Sequence, residues 1–301
     1  MSVDRAVPAV EEWVEPARAA RRGGPLGAVG RFVRSSPVGG ACALLLLLLV
    51  GAAIFADRLA PYNPLTANYA VIRDPPFGQH VLGTDHLGRD VLSRILFGAR
   101  VTLIVAISSV LLGDSIGFLW GVASGYLAGR VDLISQRVLD VLMSFPSLIL
   151  ALLLMAALGA GLQTVIIAIA ITRVPLTTRV VRSMVLSIRE LSYVEAARVL
   201  GASGSRVMAR HIAPQCVAPF LVITTGHLGA AIFIEAALSF VGVGVPPPTP
   251  SWGNMLGGVL AEAFKPPWWM VVFPGVAITI TILAMNMVGD ALRDFLDPKL
   301  K

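Results

Sequence analysis

Apolar and polar positions alternate along this chain in long blocks. Clear apolar segments run from about 39 to 57, 101 to 125, 139 to 158, 216 to 240 and 269 to 290, with a weaker one from about 162 to 183. Each approaches the ~20 residues that an α-helix needs to cross a ~30 Å hydrocarbon core. The pattern predicts an all-α integral membrane protein with six transmembrane helices. The weak segment contains Arg173 and Pro175. A mid-helix Arg costs a few kcal/mol in lipid unless it faces protein or water, which weakens this segment as a span by hydropathy alone. An even number of spans puts both termini on one side.

Basic residues set the orientation. With the N-terminus inside, the cytoplasmic segments hold 17 Lys plus Arg and the opposite segments hold six. This asymmetry predicts both termini in the cytoplasm of a multi-pass protein. The run ALLLLLL at 43–49 could be a signal-peptide core, but the leader before it is too long and the apolar run continues to Ala56, so an uncleaved first span at 39–57 is expected. Residues 1–38 read as a cytoplasmic tail, disordered or lying on the membrane surface. Residues 58–100 read as an extracytoplasmic loop, and 101–301 as a five-helix core.

Composition narrows the function. The 301 residues are 56% hydrophobic and 14% charged, with a net charge of +6. The positive balance could suggest nucleic acid, but the arginines are scattered and have no interleaved aromatic platform, so no nucleic-acid partner is expected. Cys42 and Cys216 each begin an apolar segment without a CxxC, implying neither a disulfide framework nor a zinc site. There is no GxxxxGK[ST], and the lysines are Lys265, Lys299 and Lys301. GxSxG and HExxH are also missing, and the four histidines lie in different segments. The chain is expected to be no enzyme and to carry no catalytic, cofactor or metal site.

One polar stretch interrupts the apolar blocks, SYVEAARVLGASGSRVMARHIAP at 192–214, inside a cytoplasmic loop spanning 190–215 between spans four and five. Ser192 and Glu195 have capping-box spacing, and Gly201 after Leu200 reads as a helix-ending residue. A second short helix can begin at Ser203 or Ser205 and should end before Pro214. Val194, Ala197, Arg198 and Gly201 share a face with Ala196 beside it, a small-residue surface that another body could approach closely. From the residues alone, packing on the chain's own bundle and docking to a partner are both open.

Polar residues inside the spans are the other candidates. Asp114, His227 and Glu235 are costly in lipid, so they should line a substrate pathway or bond between helices. Outside, PYNP and DPPFG are turn signals, and Thr84 or Asp85 could cap the helix that begins the second span. These residues either fasten that span to the outer surface or touch a soluble receptor. VGVPPPTPSWG at 241–253 is a stiff loop with Trp252 as an interfacial anchor.

Four motifs resemble a known family. EAARVLGASGSRVMARHIAP is similar to the EAA loop of ABC-transporter inner-membrane permeases, in Glu195, Ala196, Ala197, Gly201, Ile212 and Pro214. HVLGTDHLGRDVLSRILFGARVTL (80–103), EAALSFVGVGVPPPTPSWGNML (235–256) and FPGVAITITILAMNMVGDALRDFLDPKL (273–300) look like the dipeptide and oligopeptide permease group, C-type subunit. The resemblance covers 40–301. It departs at Arg173 and Val174, where relatives are often aromatic or Gly-rich, and in its Ile-Ala-Pro ending. It implies a bacterial inner-membrane permease subunit of an ATP-driven importer, forming half of a pathway for di- or oligopeptides. It further implies that 190–215 is a helix-turn-helix coupling loop docking on an ATPase, with Ser192, Glu195, Ala196, Ala197, Arg198, Gly201, Ile212 and Pro214 as coupling residues. The implied partners are a homologous B-type permease subunit, two ATP-binding subunits that hold ATP and Mg, an extracytoplasmic substrate-binding protein and membrane lipid. Nickel complexes, glutathione or sugars are alternative cargoes. A self-sufficient secondary transporter is the alternative class, but no inverted repeat with broken midplane helices is visible.

Overall fold

The computed structural model describes residues 25–262 and 266–296. In chain order the helices are α1 (Pro25–Ser35), α2 (Pro37–Ile54), α3 (Ala56–Leu59), α4 (Val91–Leu127), α5 (Gly129–Met143), α6 (Ser147–Leu158), α7 (Leu162–Ile188), α8 (Ser192–Val199), α9 (Gly204–Val207), α10 (Ala213–Phe240), α11 (Trp252–Glu262) and α12 (Trp268–Leu296). No strand is present among the described residues. Five helices are long and apolar enough to cross a membrane, namely α2, α4, α7, Gly204–Phe240 taken as one, and α12; α5 with α6 makes a sixth span if the bent pair is counted as one.

That third span departs from the continuous helix expected at 139–158. The chain bends by 87° between α5 and α6. Phe145 precedes Pro146, and the proline ring pushes the residue before it out of the helical region. Asp132 and Asp140 then tie amphipathic α5 back to α7 through Arg182 and Arg179.

Packing of α4 on α7 is the centre of the bundle. Gly113, Gly117, Gly121 and Gly125 recur every fourth residue on α4. A Cβ at these positions would lie 2.4 Å from the Ala170 carbonyl, 2.7 Å from Thr177, 2.8 Å from Thr178 and 2.9 Å from Val185 respectively. Both sets of numbers rise together, so the two helices run parallel. In lipid no hydrophobic force drives helices together, and close backbone approach over small residues supplies the van der Waals contact instead. This glycine row is a repeated G-x-x-x-G that sequence reasoning missed, although its spacing was available.

The remaining helices alternate in direction. Gly229 of α10 faces Asn286 of α12, and Gly289 of α12 faces Thr225, so α10 and α12 are antiparallel. Gly39 of α2 faces Ala291, and the Phe32 and Phe295 rings meet edge to face at 5.8 Å. The beginning of α2 and the end of α12 therefore share one end of the bundle, the end that also carries α8. Part of the presumed tail is ordered here, since 25–35 forms α1; residues 1–24 lie outside the described residues.

The opposite end, formed by residues 55–90, 241–251 and α11, is knotted by polar contacts. Asp90 caps α4 by accepting from the Ser93 amide at 2.8 Å, so neither Thr84 nor Asp85 is the cap. Asp85 instead folds its own loop, accepting from the amides of Leu87 and Arg89, and meets the Arg89 and Arg94 guanidiniums at 2.7 and 3.5 Å. Thr84 is fully buried between Val71 and Asp74. Trp252 also differs from expectation: it is fully buried, donating from its indole to the Ile95 carbonyl at 3.0 Å. The indole reaches a partner inside the protein, where an interfacial anchor would have left it against lipid headgroups.

Candidate coupling surface and buried polar cluster

The two candidate regions lie in different environments. At the α8 end, the polar stretch forms the expected helix, turn and helix. Gly201 ends α8 with φ +84, and the Gly201 and Ala202 amides donate back to the Arg198 and Ala197 carbonyls at 2.9 and 3.0 Å. This left-handed closure is where glycine is favoured.

Three local expectations are corrected. The Ser192 side chain caps nothing, because Leu191 takes the N-cap position and α8 has no side-chain cap bond; the Glu195 amide donates to the Leu191 carbonyl. The S-x-x-E box is displaced by one residue, since Ser192 already lies inside the helix. The second helix does not end before Pro214. α9 passes through a π-helical turn, Met208–Ile212, directly into α10, with Pro214 in the first turn of α10. The wide π turn just before Pro214 accommodates a residue that has no amide to donate.

The third correction concerns which face is free. Val194 is fully buried with Val207, Ile212 and Cys216 against Val122, Val181 and Val185 of α4 and α7. Ala197 is half-buried, and the Arg198 guanidinium lies 5.2 Å from the Tyr126 ring centroid of α4. Of the face read from the sequence as free, Val194 is therefore the root of the element, while Ala196, Arg198 and Gly201 remain exposed. The exposed surface includes Ser192, Glu195, Ala196, Val199 and Leu200, at helical spacing on one side, with Tyr193, Arg198 and Gly201 exposed beside them. Val199 is 82% and Leu200 87% exposed, an unusual position for two adjacent aliphatic residues. Sequence periodicity gave no way to tell the two faces apart, because small and apolar residues occur on both.

The root packs against two spans. Ile212 and Cys216 make α9 and α10 a single rod, while Val207 and Val194 hold the turn against α4 and α7. Arg189, just before α8, donates to the Gly125 carbonyl at 3.0 Å, fixing the α7 end to the α4 end.

Inside the bundle, Asp114 of α4 is fully buried and joins three helices. It accepts from Thr177 of α7 at 2.6 Å and meets His227 Nδ1 of α10 at 3.0 Å. Arg173 is 4% exposed and its charge acts on Asp114, so the arginine faces protein. Glu235 is a separate knot, also fully buried, accepting from Thr102 of α4 at 3.1 Å and from Ser239 at 2.8 Å. Ser239 in turn accepts from the Val245 amide at 3.2 Å, tying the Pro-rich loop to α10. Of the two roles open for Asp114, His227 and Glu235, the geometry is that of interhelical hydrogen bonds. Among the described residues, no cluster of His, Cys, Asp and Glu has the arrangement of a metal site.

Comparison with known proteins agrees with this arrangement. Residues 117–301 match the family model described as binding-protein-dependent transport system inner membrane component. A putative peptide transport system permease protein of Brucella suis is 43% identical over 258 residues, 86% of each chain. A di/tripeptide transport system permease protein of Pseudomonas aeruginosa is 41% identical over 264 residues, covering 86% of this chain and 87% of the relative. A glutathione transport system permease protein of Pectobacterium atrosepticum is 41% identical over 272 residues, 90% of each. A chain of the inward-facing MetNI methionine ABC transporter superposes with a TM-score of 0.58 at 19% identity, covering 68% of this chain and 98% of that one, which is a likeness of fold.

Proposed function

Since this chain belongs to the family of binding-protein-dependent transport system inner membrane components, we propose that it is the C-type permease subunit of a peptide ABC importer, coupled to its ATPase through the exposed face of α8. One observation carries the reading: a short helix presenting Glu195, Ala196, Val199 and Leu200 outward while rooted by Val194 in two transmembrane helices and continuous through α9 with a third. Adjacent exposed aliphatic residues on a helix outside the spans form an apolar patch of the kind that marks a partner surface. The partners in this reading are a homologous permease subunit, two ATP-binding subunits and an extracytoplasmic binding protein. ATP and Mg are bound by the ATPase subunits, and hydrolysis there would move α8 as a rigid knob, pulling on α10 and on the α4–α7 pair. Peptide is the cargo favoured by the relatives at 43% and 41% identity. Glutathione, itself a peptide, is the cargo named for another relative.

The test is made in the assembled complex. Leu200→Asp and Glu195→Lys should leave the chain inserted and associated but abolish uptake and substrate-stimulated ATP hydrolysis per complex. Normal uptake by both variants would overturn the coupling role. Orientation is tested separately: reporters after Lys301 and at Ser203 should read cytoplasm and one at Thr249 the outside. Agreement between the Ser203 and Thr249 reporters would overturn the topology.

A further inference from the structure

Between α2 and α4, at the end away from α8, an open apolar groove of ≈ 440 Å³ is walled by Val50, Ala53, Leu103, Ile104 and Ile107. Immediately beyond it lies a second, more polar cup of ≈ 370 Å³ that includes Asp57, Asn63 and Thr249. Arg100 lines both and separates them. Its guanidinium is held in place by the Ala53 and Ile54 carbonyls at 2.9 and 3.0 Å, by Asp57 at 2.8 Å and by the Phe97 ring at 5.2 Å. The Arg100 side chain nevertheless stays 32% exposed and that of Asp57 68% exposed. A fixed cation and a fixed anion thus stand side by side at the point where two apolar helices meet polar loops.

We propose that this groove and its Arg100–Asp57 rim form a binding site for a phospholipid whose headgroup carries both a phosphate and a primary ammonium. The acyl chain lies along Ile104 and Ile107, about 10 Å of helix below Arg100. Chain occupancy alone carries no selectivity, because lipid tails are as apolar as the groove walls. The rim supplies it. Arg100 spends its Nε and Nη2 donors on Ala53, Ile54 and Asp57, which leaves the Nη1 N–H groups to donate to a phosphate oxygen, and the Asp57 carboxylate beside it takes the ammonium. An anionic headgroup without an amine would meet Asp57 unfavourably, and a quaternary amine has no N–H to donate. The site also accounts for Arg100 capping the last carbonyls of α2: a bound lipid would fasten α2 to α4.

The assembled complex, exchanged into detergent and offered phosphatidylethanolamine, phosphatidylglycerol or phosphatidylcholine singly, reports bound lipid by native mass spectrometry. Phosphatidylethanolamine should be retained about tenfold over the other two. Ile107→Trp, at a half-exposed position that fills the groove, should remove that retention. Asp57→Asn, on an exposed side chain, should erase the preference for phosphatidylethanolamine over phosphatidylglycerol while total binding persists. Equal retention of the three lipids, or an unchanged preference in Asp57→Asn, overturns the proposal. So does disulfide capture of a cysteine at position 107 by a neighbouring subunit, which would show the groove filled by protein. If Ile107→Trp fails to assemble, the Asp57→Asn result decides alone.

Discussion

Two glycines with the same backbone conformation, Gly88 and Gly201, sit at opposite ends of the bundle in opposite surroundings. Gly88 has φ +71, and a Cβ there would stand 1.8 Å from the Asn68 carbonyl oxygen. Gly201 has φ +84, and nothing lies within 4 Å of where its Cβ would be. The first belongs to a knot in which Asp85, Asp90, His80, Arg89 and Arg94 are all buried and bonded. The second closes a helix whose outward side chains are in water. One end is fixed by interlocking polar contacts, and the other is a small element on a firm root.

The comparison breaks first at Gly88. Gly88→Ala combines a disallowed contact with backbone and a left-handed φ, and should cost about 3 kcal/mol or more. The yield of monodisperse protein after extraction should collapse; a normal yield would show that the knot yields more easily than its geometry implies. His227→Ala comes next. It removes one bond to Asp114 and leaves Thr177 and Arg173 in place, so a loss of about 1 kcal/mol, near the usual size of an interhelical bond in a membrane protein, is expected in thermal melting. A much larger loss would mark the cluster as a lock on the whole bundle. Gly201→Ala should be mildest, about 1 kcal/mol or less from the backbone term alone, with assembly intact. A collapse equal to that of Gly88→Ala would erase the contrast between the two ends.

Local chemistry made parts of this molecule legible in advance. The spans follow from the length of apolar runs, and Gly201 as a helix stop follows from its place after an amphipathic turn. Within the candidate segment, burial divides residues that the sequence places together. Val194 packs on Val122, Val181 and Val185, whereas Arg198 stays exposed with its guanidinium 5.2 Å from the Tyr126 ring centroid. Ser192 and Glu195 have the spacing of a capping box, yet a shift of one residue in the helix start removes it. The α4 glycine row is legible in the sequence as a four-residue spacing of Gly113, Gly117, Gly121 and Gly125, but which helix it meets is not.

By itself the sequence determined where the chain must cross lipid, since every backbone polar group there has to be bonded within its own helix and only long apolar helices meet that demand. It also determined the turn at Gly201, a property of a single residue's allowed angles. Only the tertiary structure decided which side of α8 faces water, that α9 and α10 are one rod, and that Asp114, Thr177 and His227 meet. Those are contacts between residues 63 and 113 positions apart in the chain, and they depend on how α4, α7 and α10 are set against one another, which no local pattern encodes.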